Sequence, residues 1–82
     1  MELAQIQAFI AAAERGSFVR AAQSLILTQP SLSARIKALE TELNTLLFYR
    51  LGRGVRVTDA GKAFLPYAQR AVDALSQGQA NL

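Results

Sequence analysis

The sequence predicts a mainly α-helical winged helix-turn-helix domain: a three-helix core, a two-stranded β wing, and a long C-terminal helix. Three observations predict it. Apolar residues recur at three- and four-residue steps in four separate segments. A glycine-rich tetrapeptide, Leu51-Gly52-Arg53-Gly54, separates two short β-prone runs. Ser17, Thr28 and Thr58, residues of the helix-capping type, each stand just ahead of a helical pattern.

The first helix is expected over residues 2–15, with Leu3, Ile6, Phe9, Ile10 and Ala13 on one apolar stripe. Gly16 follows as a stop, and Arg15 suits the negative end of the helix dipole. Ser17 caps a short second helix over 18–26, whose apolar side is Phe18, Ala21, Ala22, Leu25 and Ile26. The two alanines let another helix approach closely. Thr28 caps the third helix, 29–43, and Pro30 falls in its first turn, where a missing N–H is harmless. Leu32, Ile36, Leu39 and Leu43 form its inner stripe; Pro30, Ser33, Ala34, Lys37 and Thr41 lie opposite, with Ser31 and Arg35 flanking. Leu3, Ile6 and Ile10, with the inner stripe of the third helix, are assigned to the core alone.

Asn44 ends the third helix, since Asn tolerates the left-handed backbone. Residues 47–50 and 55–58 read as strands of a hairpin, with Val55 and Val57 facing one way and Arg56 the other. Thr58-Asp59 opens the last helix, along which Phe64, Leu65, Ala68, Ala71, Val72, Leu75 and Leu82 follow helical spacing. So wide a stripe is expected to dock on its own domain and still offer apolar surface to a second copy. Pro66 interrupts the donor series, and a kink is expected there. The expected division is a winged helix-turn-helix domain at 1–57 and a linker and dimerisation helix at 58–82, ending as a fragment would, inside or just after that helix.

Composition narrows the chemistry. The 82 residues contain no cysteine and no histidine, which removes disulfides, thiolate metal sites and the commonest general base. The six carboxylates are scattered, and no phosphate loop or nucleophile motif occurs, so an enzyme is disfavoured. No signal sequence and no membrane-length apolar run is present, and a cytoplasmic location is expected. The net charge of +3 is concentrated. Residues 28–57 carry Arg35, Lys37, Arg50, Arg53 and Arg56 against Glu40 and Glu42, whereas the flanking segments are each neutral. Clustered basic charge suits a polyanion.

A short second helix followed closely by a third is the arrangement that sets a recognition helix in the major groove. Gln29 can pair with adenine, Arg35 can reach guanine or phosphate, and Ser31 or Ser33 can bond to either. Ser17 and Thr28 are caps first and contacts second. Arg53, at the wing tip, suits a narrow minor groove, while Lys37, Arg50 and Arg56 suit phosphates. A winged helix used only for protein contact is the alternative; salt dependence of binding separates the two.

The chain resembles the N-terminal domain of LysR-type transcriptional regulators. The resemblance rests on Phe9, Gly16-Ser17-Phe18, Ala21-Ala22, Thr28-Gln29-Pro30-Ser31-Leu32-Ser33, Ile36, Leu39-Glu40, Leu47-Phe48, Arg50, Gly52-Arg53 and Val57-Thr58-Asp59-Ala60-Gly61. It covers essentially the whole chain. It implies a bacterial regulator that binds palindromic, A·T-rich double-stranded DNA as a homodimer through its last helix, as a tetramer when full length. It also implies a small-molecule co-inducer on a separate C-terminal domain, and no cofactor in this segment. Carried over by position, DNA contacts would come from Thr28, Gln29, Pro30, Ser31, Ser33, Arg35 and, on the wing, Arg53. The dimer face would come from Phe64, Leu65, Ala68, Val72 and Leu75. Three residues depart from the family pattern: Asn44 where Gly is common, Ala34 where Arg is frequent, and Leu46 where a polar or basic residue is usual.

Overall fold

The computed structural model describes all 82 residues. The order is α1 (Leu3–Arg15), α2 (Phe18–Ser24), α3 (Gln29–Leu43), β1 (Phe48–Arg50), β2 (Val55–Val57) and α4 (Asp59–Ala80). The hairpin is antiparallel, with Phe48 opposite Val57, Tyr49 opposite Arg56 and Arg50 opposite Val55.

Each helix end has a local cause. The Glu2 N–H donates to Gln5 Oε1 at 3.1 Å ahead of α1, so the helix starts at Leu3, one residue later than periodicity suggests. Gly16 closes α1 in the left-handed region, at φ 65°. Ser17, Thr28 and Thr58 accept the N–H of Arg20, Ser31 and Gly61 and so cap α2, α3 and α4. Asn44, at φ 53°, ends α3 in the left-handed geometry that Gly adopts most readily.

The core lies between α1, α2, α3 and the first turns of α4. Phe9, Ala12, Ala21, Leu32, Ile36 and Leu39 are fully buried. Four aromatic rings run through it in series: Phe64 on α4, Phe9 on α1, Phe48 on β1 and Phe18 on α2. Successive centroids lie 5.4–5.6 Å apart, and the last pair is T-shaped. One aromatic column thus joins four elements.

Two assignments to the apolar helix faces are corrected. Leu3, the first residue of α1, is exposed. Ile26 is not on α2 at all. The helix stops at Ser24, and Ile26 stands in the following turn at φ 56°, 92% exposed. The N–H of Leu27 reaches back to the Ala22 carbonyl at 2.8 Å, a closure that needs a left-handed residue between them.

The hairpin is held to the helices at three places. Val55 N–H donates to the Gly16 carbonyl at 3.1 Å, and a Cβ on Gly54 would stand 2.5 Å from that same oxygen. Thr58 donates its hydroxyl to the Leu46 carbonyl at 2.7 Å, and its N–H to that of Leu47 at 3.0 Å. Gly61 sits so close that a Cβ would meet Leu47 O at 2.5 Å and the Val57 side chain. The start of α4 is therefore seated against the strands. Beyond that, α4 runs through Pro66 as one 22-residue helix, about 33 Å long by the usual rise per residue.

Candidate nucleic-acid interface

The outer face of α3 borders an open groove whose walls include Pro30, Ser33, Ala34, Lys37, Thr41 and, across on β1, Arg50. A second cleft joins the starts of α2 and α3 to the wing: Ser17, Phe18 and Gln29 face Leu51, Gly52 and Gly54. Arg50 belongs to both, standing between the recognition-helix groove and the wing cleft.

The start of α3 suits a polyanion. It has no acidic residue in its first turn, so the positive end of the helix dipole is uncompensated. Thr28 Oγ1 accepts the Ser31 N–H at 3.2 Å and donates to Ser31 Oγ at 2.9 Å, which ties both hydroxyls into the cap. Gln29 and Pro30 are exposed beside them, and Ser33 is half-buried.

The predicted contacts do not all fall together. Pro30, Ser33 and Lys37 share the α3 groove, and Gln29 and Ser17 share the wing cleft. Thr28, Ser31, Arg35, Arg53 and Arg56 lie outside both clefts. Two positions on from Ser33, Arg35 is about 200° round the helix, half-buried on the other flank. That is the flanking position expected of it, away from the Ser33 face.

Among the basic residues, Arg35, Lys37, Arg53 and Arg56 form no ion pair. Arg53 is exposed in the turn between the strands. Arg56 lies on the outer face of the hairpin, over the cross-strand Tyr49 ring at 5.9 Å. Arg50 differs. Its guanidinium lies 4.8 Å from the Phe18 ring centroid and 3.9 Å from a Glu40 carboxylate oxygen.

Glu40 is the residue that sequence reasoning missed. Its side chain is 7% exposed, and its carboxylate accepts the N–H groups of Leu47 at 2.7 Å and Phe48 at 3.3 Å. The signal was present: Glu40 follows Ile36 by four residues, and so lies beside the inner stripe rather than in solvent.

The residues expected at a dimer face divide. Ala68 is 2% exposed within the single chain, and the Phe64 ring stacks on Phe9, so both serve the intramolecular core. Leu65 and Val72 are half-buried against that core. Leu75 is 59% exposed. No helix is long and apolar enough to cross a membrane.

The sequence profile of the bacterial regulatory helix-turn-helix proteins of the lysR family matches residues 3–62. An uncharacterized HTH-type transcriptional regulator from the ibpB-leuC intergenic region of Azotobacter vinelandii is 56% identical over 75 residues, 92% of this chain and 52% of that protein. The HTH-type transcriptional regulator CitR of Bacillus subtilis is 39% identical over 82 residues, the whole chain and 28% of CitR. The chain thus spans about half the length of the first relative and about a quarter of the second. Among solved structures, the CbnR DNA-binding domain in complex with DNA superposes with a TM-score of 0.94 at 37% identity, over 99% of this chain and 93% of that one. The BenM DNA-binding domain bound to catB site 1 DNA gives 0.93 at 38% identity, over 98% and 90%.

Proposed function

The chain belongs to the lysR family of bacterial regulatory helix-turn-helix proteins, and from that premise we propose that it reads DNA for a transcription regulator. In this proposal α3 enters the major groove and the wing enters the adjacent minor groove. One observation carries it: the acid-free start of α3, its small-residue outer face and the wing border two clefts that share Arg50. A continuous surface of that kind follows a duplex from one groove to the next.

Roles follow from position. Gln29 is the base reader, since it is exposed in the first turn of α3 and its amide can pair with adenine. Pro30 and Ser33 let the helix lie close to the bases. Lys37 and Arg56 neutralise phosphates and set register. Arg53 enters the minor groove, where A·T tracts focus negative potential. The protein acts as a homodimer through exposed apolar residues of α4, Leu75 foremost, on a two-fold-symmetric site. Its role is regulatory rather than enzymatic, exercised in the cytoplasm beside the chromosome. The tetramer and the co-inducer response implied by the resemblance are proposed for the full-length regulator, outside this segment.

Selection from a random duplex pool tests this. Sequencing the duplexes retained by the 82-residue chain should show enrichment of an A·T-rich motif with two-fold symmetry. Retention without any enriched motif, or none at low salt, would overturn the proposal and favour a protein-contact module.

A further inference from the structure

We propose that Arg50, with Glu40 and Phe18, is a positioning device that sets the wing relative to α3, rather than one more phosphate contact. The inference rests on the DNA-reading proposal and concerns how that surface keeps its shape.

Arg50 is the last residue of β1, directly before the turn that carries Arg53. Its strand position points it the same way as Phe48, toward the helices, while Tyr49 points outward. There it meets two different elements. The guanidinium lies over the Phe18 ring at the start of α2, 4.8 Å from its centroid. Its Nη2 is 3.9 Å from Glu40 on α3. Neither partner is free to move. Phe18 is 6% exposed and holds the Phe48 ring edge-on at 5.4 Å. Glu40 is fixed by the Leu47 and Phe48 amides. Arg50 therefore ties the tip-side end of β1 to both helices of the helix-turn-helix, while Glu40 ties the other end.

The tip itself has little else. Leu51 N–H closes the turn on the Gly54 carbonyl at 3.2 Å, and Val55 N–H bonds the Gly16 carbonyl at 3.1 Å. Residues 51–54 are all exposed. Where Arg53 points thus depends on the strand ends, and Arg50 governs one of them. Lysine would keep the charge but lose the guanidinium's contact over the Phe18 ring. A phosphate contact survives that exchange largely intact, whereas a positioning role does not.

A double-mutant cycle in DNA affinity decides between them, using the duplex enriched by selection. Arg50→Lys should weaken binding by about three- to tenfold, the scale of a lost cation–π contact and its coupled partners. Adding Arg53→Ala should then cost clearly less than it does in the wild-type chain, because the wing contact is already displaced. Full affinity in Arg50→Lys, or additive losses, would overturn the inference. Phe18→Leu, which removes the ring but keeps an apolar filler, should show the same non-additivity and guards against a folding artefact at Arg50. In the free chain, amide hydrogen exchange at Val55 should quicken in Arg50→Lys; unchanged exchange would also overturn it. If the wild-type chain binds no duplex, the DNA proposal fails, and the exchange result alone decides whether Arg50 holds the wing.

Discussion

The carboxylate of Glu40 accepts the backbone N–H of Leu47 at 2.7 Å, so the last turns of α3 and the entry to the wing move as one piece. The same oxygen accepts the Phe48 N–H at 3.3 Å. Replacing Glu40 by Ala leaves two buried amides without partners. A loss of about 2–6 kcal/mol is expected, the sum of two desolvated donors. Urea denaturation of the two chains measures it. Glu40→Gln retains one acceptor and should lose less; equal stability of Glu40→Ala and wild type would show that the latch is not structural.

Ile26 carries a β-branched side chain in the left-handed region, nine-tenths exposed and with nothing to pack against. Left-handed backbone costs such a residue about 1–2 kcal/mol. Asn accepts that conformation readily, as Asn44 does at the end of α3. Ile26→Asn is therefore expected to stabilise the chain by about 1 kcal/mol, or roughly 4–8 °C in Tm for a domain of this size. A thermal melt showing no gain, or a loss, would mean that the turn relaxes without strain or that Ile26 is engaged elsewhere.

Three of the helix starts and two of the helix ends were legible residue by residue. Ser17, Thr28 and Thr58 are short hydrogen-bonding side chains before apolar periodicity, and each accepts the expected N–H. Gly16 and Asn44 tolerate a positive φ, and each ends a helix there. Both strands came within one residue of their observed spans, because Gly52 and Gly54 bracket the turn. What was not legible depended on tertiary placement. Ile26 fits the periodicity of α2, but the backbone turns before reaching it. Glu40 looks like a solvated charge until the strand amides arrive at its carboxylate. Ala68 belongs to a stripe wide enough for two partners, and only packing against α1 decides which one it meets.

Gln29 is expected to read one base pair in each half-site. Gln29→Ala should lose about 1–3 kcal/mol on the selected duplex and relax preference at that one position. Competition binding with single-position variants of the duplex measures this. Equal losses on the selected and a scrambled duplex would make Gln29 a general contact instead.

Leu75 projects from α4 beyond the part that packs on the domain. Leu75→Glu should leave the circular dichroism spectrum largely unchanged, since Leu75 lies outside the hydrophobic core. It should shift sedimentation toward the monomer and weaken operator affinity with it. Unchanged sedimentation and affinity would move the dimer contact away from this face.

This surface is proposed to read a duplex through its phosphates and base edges together. The most direct measurement is affinity for the selected duplex and a scrambled one, titrated across salt. Log K should fall with log salt at a slope of about −2.7 or steeper, for at least three neutralised phosphates, with the selected duplex bound more tightly throughout. A flat response to salt, or identical curves for the two duplexes, would contradict it.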